Sequence, residues 1–302
     1  MALGGGRMDP TDTPLAASGE VYDRGYRHYE GLRLGRRHAV WALAVYSMQR
    51  ALGIKKGVGA KIIPILLYLG VALPVVVSIG IRAVLPAANV LDYAEFFVFV
   101  FLIEGIYVAT IAPELLCGDR REHVLTLYFT RPITRADYLL AKLVAAALLT
   151  LTVSFLPAVV LWVGRQLLLD DPLAAMRDHA ADLGRIALAG PAIAFYLGAG
   201  GLMIASFTGR KSVAVAVIVA ATLTSQALAV ALFHALDVRY WRYVDVISPA
   251  NTVADFVGGL FGVTGRDLVT PGAFPAWVYA AEMGAAVLLC CAVIAVRYVP
   301  RE

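Results

Sequence analysis

Six long apolar runs constrain this chain more than any other feature. A helix needs about 20 apolar residues to cross the hydrocarbon of a bilayer, and runs this long and continuous lack the alternation of a membrane barrel. The predicted spans are Ile62–Leu85, Tyr93–Leu116, Tyr138–Leu168, Ile186–Phe207, Ser212–Leu236 and Phe274–Val296. Only 16% of the residues are charged, against roughly a quarter in soluble domains. The sequence therefore predicts an all-α membrane protein with six transmembrane helices in one domain, 61–298.

Lysine and arginine placement predicts the orientation. If the N-terminus is cytoplasmic, most of the 26 lysines and arginines fall in inside segments, as the positive-inside rule expects. The exceptions are Arg82, Arg165, Arg177, Arg185, Arg239, Arg242 and Arg266. We therefore expect a multi-pass protein of the cytoplasmic membrane with both termini in the cytoplasm. The net charge of +4 is spread along the flanks of the spans, which argues against a nucleic-acid partner.

The segment before the first span divides into two parts. Residues 1–37 lack the apolar core of a signal peptide and are expected to form a flexible cytoplasmic N-terminus. Residues 38–60 are predicted to contain an amphipathic helix in the inner interface, because apolar side chains recur at helical spacing beside basic ones. These residues are Trp41, Val45, Met48 and Leu52, with Arg50, Lys55 and Lys56. An ordinary juxtamembrane linker is the alternative.

Two connections between spans have distinctive patterns. The cytoplasmic loop 118–137 places charges on both sides of the apolar stretch 124–129, which predicts a short helix that ends before Pro132. The external segment 238–273 contains an apolar stretch, Val253 to Val263, that is too short to cross. It is predicted to be a re-entrant element packed on protein, or alternatively a loop resting on the outer surface.

The sequence contains no catalytic motif. The turn Thr208–Ser212 has a glycine, a lysine and a serine but lacks the glycine spacing of a Walker A loop. The three cysteines, Cys117, Cys290 and Cys291, have no spacing typical of a metal site or a disulfide framework. We therefore expect a chain that is not an enzyme and that binds no cofactor or metal itself.

Two carboxylates fall inside predicted spans, Glu104 in the second and Glu282 in the sixth. Ionisable groups at such depth are costly and often functional. Either they line a substrate path or they fix helix packing, and the packing role is favoured for Glu282. A stripe of small residues in the fourth span, Gly190, Ala194 and Gly198, permits close helix approach, within the chain or at a subunit interface.

The loop after the second span resembles a motif of ABC-2-type transporter permeases. That family carries a pattern like E-R-x-x-G-T-L-x-x-L-L-x-x-P-x-x-R, followed seven residues later by K. The matching positions here run over Asp119–Leu125, Leu127, Tyr128, Pro132, Arg135 and Lys142. The departures are Asp119 for Glu, His123 for Gly and Val124 for Thr. The family's layout, an interfacial helix, six spans and a membrane-dipping element between spans five and six, is also similar.

The resemblance implies the transmembrane subunit of an ABC exporter. A second permease subunit, identical or related, and two separate ATPase subunits that bind ATP and magnesium are the implied partners, together with membrane lipids. The stretch Asp119–Phe129 would be the coupling helix that docks on the ATPase. The implied coupling residues are Asp119, Arg120, Arg121, Glu122, Leu125, Arg131, Pro132 and Arg135.

Two other functional classes remain open from the sequence. A secondary transporter or channel could use Glu104 as an intramembrane ion-coupled group, although the halves of the chain show no convincing inverted repeat. A membrane-embedded enzyme or assembly factor would need His, Asp or Glu clustered at one membrane face, and no such cluster is evident. The transported substrate is not specified by any feature of the sequence.

Overall fold

The computed structural model describes residues 35–54, 56–86, 91–121, 133–263 and 273–298, all within the unit Gly35–Glu302. Every regular element in these ranges is a helix. The α-helices are α1 (Arg36–Ala51), α2 (Gly59–Val84), α3 (Tyr93–Arg121), α4 (Arg135–Gln166), α5 (Pro172–Asp178), α6 (Ala180–Ser206), α7 (Lys211–Ala235), α8 (Trp241–Asp245), α9 (Pro249–Phe261) and α10 (Ala276–Tyr298). One 3₁₀ turn, Val238–Tyr240, precedes α8.

Six of these helices, α2, α3, α4, α6, α7 and α10, are long and apolar enough to cross a membrane. The prediction of six spans is confirmed in that sense. Two boundaries differ clearly from the prediction. Helix α3 continues beyond Leu116 to Arg121, and α6 begins at Ala180 rather than Ile186. The other predicted ends lie within three residues of the observed ones.

Helix α6 lies at the centre of the bundle, where it packs against α4, α10 and α3. Its small-residue stripe faces α4. A Cβ built on Gly190 would lie 2.9 Å from the Cβ of Phe155, so only glycine fits there. The Thr150 hydroxyl, also on α4, donates to the Ala194 carbonyl at 3.1 Å. The stripe therefore serves packing between two helices of the same chain.

Helix α1 packs across α4 and α3. It buries Leu43, Ala44 and Ser47 and exposes Trp41, which is 54% accessible. The helix ends at Ala51, where Gly53 follows with a φ of 72°, and α2 begins at Gly59. The predicted helical segment 38–60 thus contains a turn between two helices.

Helix α9 lies at the end of the bundle where α3 begins, since the rings of Tyr93 and Phe261 are 5.8 Å apart. Its 13 residues span about 20 Å at 1.5 Å per residue, less than the thickness of a bilayer core. The helix packs against α3, α10, α6 and α7 and buries Val253, Phe256 and Val257. It ends at Phe261, and Gly262 follows as the C-cap with a φ of 69°.

Candidate functional site

The charged residues of the resemblance motif lie where α3 ends and α4 begins, which we call the α3/α4 end. The structure describes Asp119, Arg120 and Arg121 at the end of α3, and Arg135 at the start of α4. The predicted coupling residues Glu122, Leu125, Arg131 and Pro132 lie outside the described residues, as does the predicted short helix between them. The site is therefore built from the two helix ends that hold this segment.

Asp119 is an internal ion-pair partner. Its side chain is 1% exposed and accepts from Arg50 Nη1 at 2.7 Å and from Lys142 Nζ at 2.7 Å. The Tyr138 hydroxyl donates to the same carboxylate at 3.0 Å. Lys142 is itself buried, and it also donates to Ser47 Oγ at 2.9 Å. One carboxylate thus ties α1, α3 and α4 together, and it is not available at the surface as a docking contact.

Gly118 makes room for this arrangement. A Cβ at position 118 would lie 2.3 Å from Arg50 Nη2 and 3.1 Å from Arg50 Cζ. Any larger residue would push the guanidinium away from Asp119. The Gly-Asp pair in the sequence is therefore explained by a contact with α1 that is distant along the chain.

Arg120 joins α3 to two other helix ends. Its Nη1 donates to the carbonyl of Ser206, the last residue of α6, at 2.6 Å. Its guanidinium carbon lies 5.5 Å from the ring centre of Tyr298, the last residue of α10. A cation at the carbonyl end of a helix is favourable for the helix dipole. Arg121, one residue further, is exposed.

The start of α4 is fixed by a capping box. Thr134 Oγ1 accepts from the Asp137 amide at 3.2 Å, and Asp137 Oδ2 accepts from the Thr134 amide at 2.9 Å. Both oxygens of Asp137 also accept from Arg36 of α1, each at 2.8 Å. The neighbouring carboxylate raises the pKa of the Arg36 guanidinium above its ordinary value. The capping box gives α4 a defined first residue.

Glu114 completes the framework at this end, and the sequence-based reasoning did not identify it. Its carboxylate accepts from Lys56 at 2.6 Å and from Lys211 at 2.7 Å. Lys56 lies between α1 and α2, and Lys211 begins α7. The signal in the sequence was an acidic residue near one end of a predicted span, with lysines beside the ends of two others. These pairs connect further elements to α3 at the same end.

The two intramembrane carboxylates have different surroundings. Glu104 is fully buried in α3 beside Ser154 of α4, and neither of its oxygens has a hydrogen-bond partner among the described residues. Glu282 in α10 is half-buried near Thr252 of α9 and Tyr196 of α6. The polar neighbours of the two carboxylates lie on different helices, on α4 for Glu104 and on α6 and α9 for Glu282.

In the part of the α3/α4 end that the structure describes, ion pairs and hydrogen bonds hold the helices in position. Among the described residues, no three His, Cys, Asp or Glu side chains are grouped to hold a metal ion. No family model matches this chain, and no curated protein matches it.

Proposed function

We propose that the chain is the permease subunit of an ABC exporter in the cytoplasmic membrane, with both termini in the cytoplasm. A second permease subunit, identical or related, and separate ATPase subunits complete the transporter. ATP and magnesium are bound by the ATPases, and this chain binds no cofactor. The substrate crosses between the permease subunits by alternating access, driven by closure of the ATPases.

The observation that carries this proposal is the way the α3/α4 end frames residues 122–132. Asp119 fixes the end of α3 to α1 and α4, and Arg120 fixes it to α6 and α10. The capping box fixes the start of α4. A partner that moved the framed segment would therefore move two spans directly and the helices bound to them.

The residues of the motif divide into two roles in this proposal. Asp119 and Arg120 are positioning residues, because their charged groups are engaged inside the chain. Arg121 is exposed next to the framed segment. It supplies a polar contact to the ATPase, together with Glu122 and Arg131 of that segment.

The remaining layout supports the same function. Helix α1 precedes the first span with an apolar face buried on α3 and α4, as an interfacial helix would. Helix α9 is too short to cross and packs on α3 and α10 between the fifth and sixth spans, as a re-entrant element would. Both features are part of the ABC-2-type layout that the motif resembles.

Co-purification tests the proposal. The tagged chain is purified from native membranes in mild detergent, and co-purifying proteins are identified by mass spectrometry. We expect an ATPase subunit with a Walker A motif, and we expect Arg121→Glu to reduce its recovery strongly. Arg297→Glu is the matched control, because Arg297 is also exposed and its guanidinium lies over Phe207 at the end of α6. Unchanged recovery with Arg121→Glu would contradict the docking role.

A secondary transporter or channel is the second candidate, and the burial of Glu104 favours it. A carboxyl group without a hydrogen-bond partner is costly to bury and is often retained for function. A proton-flux assay distinguishes the two candidate functions. It uses proteoliposomes that contain this chain as their only protein and a trapped pH-sensitive dye. The permease produces no proton flux without its ATPase. A proton flux that Glu104→Gln abolishes would identify the secondary transporter.

A further inference from the structure

A groove of about 410 Å³ lies between α1 and α4 at the α3/α4 end. Its apolar walls come from α1 and α4, and its mouth carries two arginines. The groove is lined by Arg36, Arg37, Val40, Trp41, Leu140 and Val144, among others. Trp41 and Leu140 are each 54% exposed, so the apolar walls are open to the surroundings of the bundle.

The depth of the groove fits one leaflet of a membrane. Asp137, which binds Arg36, lies in the first turn of α4, and that helix is long and apolar enough to cross. At 1.5 Å per residue, Leu140 and Val144 lie about 5 Å and 10 Å further along α4. With Asp137 placed at headgroup level, the walls reach acyl-chain depth while the arginines stay among the headgroups. Trp41, one turn from Arg37, is then expected at the boundary between the two, where tryptophan is enriched.

The positive charge at the mouth of the groove favours a negatively charged ligand. Arg37 is exposed, and the Arg36 side chain is 62% exposed although it binds Asp137. Guanidinium groups bind phosphate well because their donors form a planar fork. A second protein copy would need an acidic side chain here, but the acids described at this end, Asp119, Asp137 and Glu114, are already engaged in ion pairs.

We propose that this groove binds one anionic phospholipid. The headgroup phosphate lies against Arg37 and the exposed edge of Arg36, and one acyl chain lies along Val40, Leu140 and Val144. The bound lipid covers the junction of α1 with α4, next to the ion pair that joins them. The inference rests on the membrane-spanning helices and not on the ATPase partner.

Fluorescence quenching in nanodiscs of the full chain tests this site. Phosphatidylglycerol or phosphatidylcholine, brominated on an acyl chain, is added at the same low mole fraction to discs of constant overall charge. The Trp41 signal is the difference between the wild type and Trp41→Phe. We expect brominated phosphatidylglycerol to quench Trp41 at a mole fraction roughly fivefold lower than brominated phosphatidylcholine does. A single basic residue near a membrane surface supplies a preference of about this size for an anionic lipid.

Two variants separate a site from general surface charge. Arg37→Gln should remove the preference, whereas Arg121→Gln, the same change at the same end but outside the groove, should keep it. Equal quenching by both lipids, or loss of the preference in both variants, overturns the proposal. Absence of quenching by either lipid also overturns it, because it means that protein covers the groove. The discs contain no ATPase, so the two tests are independent. The quenching test can fail while the co-purification test succeeds, and the co-purification test can fail while the quenching test succeeds.

Discussion

Replacing Asp119 by alanine should destabilise this protein more than any other single loss of a described acidic side chain. The Lys142 side chain is 3% exposed, and Asp119 is its only carboxylate partner among the described residues. At 2.7 Å, the attraction is about 6 kcal/mol for an effective dielectric constant of about 20. Desolvation of the two charges offsets much of it. Removing one partner of such a pair costs about 3–5 kcal/mol, because the other charge stays buried.

The native cysteines provide an assay. Cys117 and Cys290 are buried and Cys291 is partly exposed, so a thiol-reactive dye in a Cys291→Ala background reports unfolding. For 302 residues, the expected loss corresponds to a fall in melting temperature of about 5–8 °C. Asp182→Ala is the control, because its ion pair with Arg185 is 22% and 43% exposed and should contribute at most about 1 kcal/mol.

A double substitution tests the cause. Adding Lys142→Met to Asp119→Ala removes the buried Lys142 charge that has lost its partner. The double variant should therefore be more stable than Asp119→Ala alone by at least about 1 kcal/mol. The reasoning is refuted if Asp119→Ala melts like Asp182→Ala. It is also refuted if the second substitution adds a further loss, because the buried cation would then not be the source of the cost.

Two further substitutions test the interior. Gly190→Val should cost about 1–3 kcal/mol by overpacking against Phe155, whereas Gly184→Val, with no atom near its Cβ position, should cost less than about 1 kcal/mol; equal melting temperatures would refute the α4–α6 contact. Glu104→Gln should leave the melting temperature nearly unchanged, because an amide of similar shape replaces a carboxyl group whose oxygens have no hydrogen-bond partner among the described residues. A fall like that of Asp119→Ala would show that the carboxyl group has a structural partner.

The spans could be predicted from the sequence because apolar length alone decides them. The end of α3 could not. Asp119, Arg120 and Arg121 look like a polar loop. However, Arg50 and Lys142 pair with Asp119, the Ser206 carbonyl accepts from Arg120, and the helix continues to Arg121. These partners are distant in sequence, and only the tertiary structure brings them to α3.

Other differences had local signals. Helix α5 begins after Asp171, whose carboxylate accepts from the amides of Leu173 and Ala174, and Pro172 occupies its first position. An Asp-Pro pair of this kind is a recognised helix start. The stripe of Gly190, Ala194 and Gly198 predicted close packing, but its partner could be chosen only from the structure, which places α4 against it.

Photo-cross-linking at the α3/α4 end tests the central claim most directly. A photoreactive amino acid replaces Arg121 at this end, or Arg177, which is exposed in α5 at the opposite end. Both variants are irradiated in native membranes, and the adducts are identified by mass spectrometry. A permease of this kind should give an adduct with a Walker A ATPase from position 121 and none from position 177. No ATPase adduct at position 121, or equal adducts at both positions, would contradict the proposed docking site.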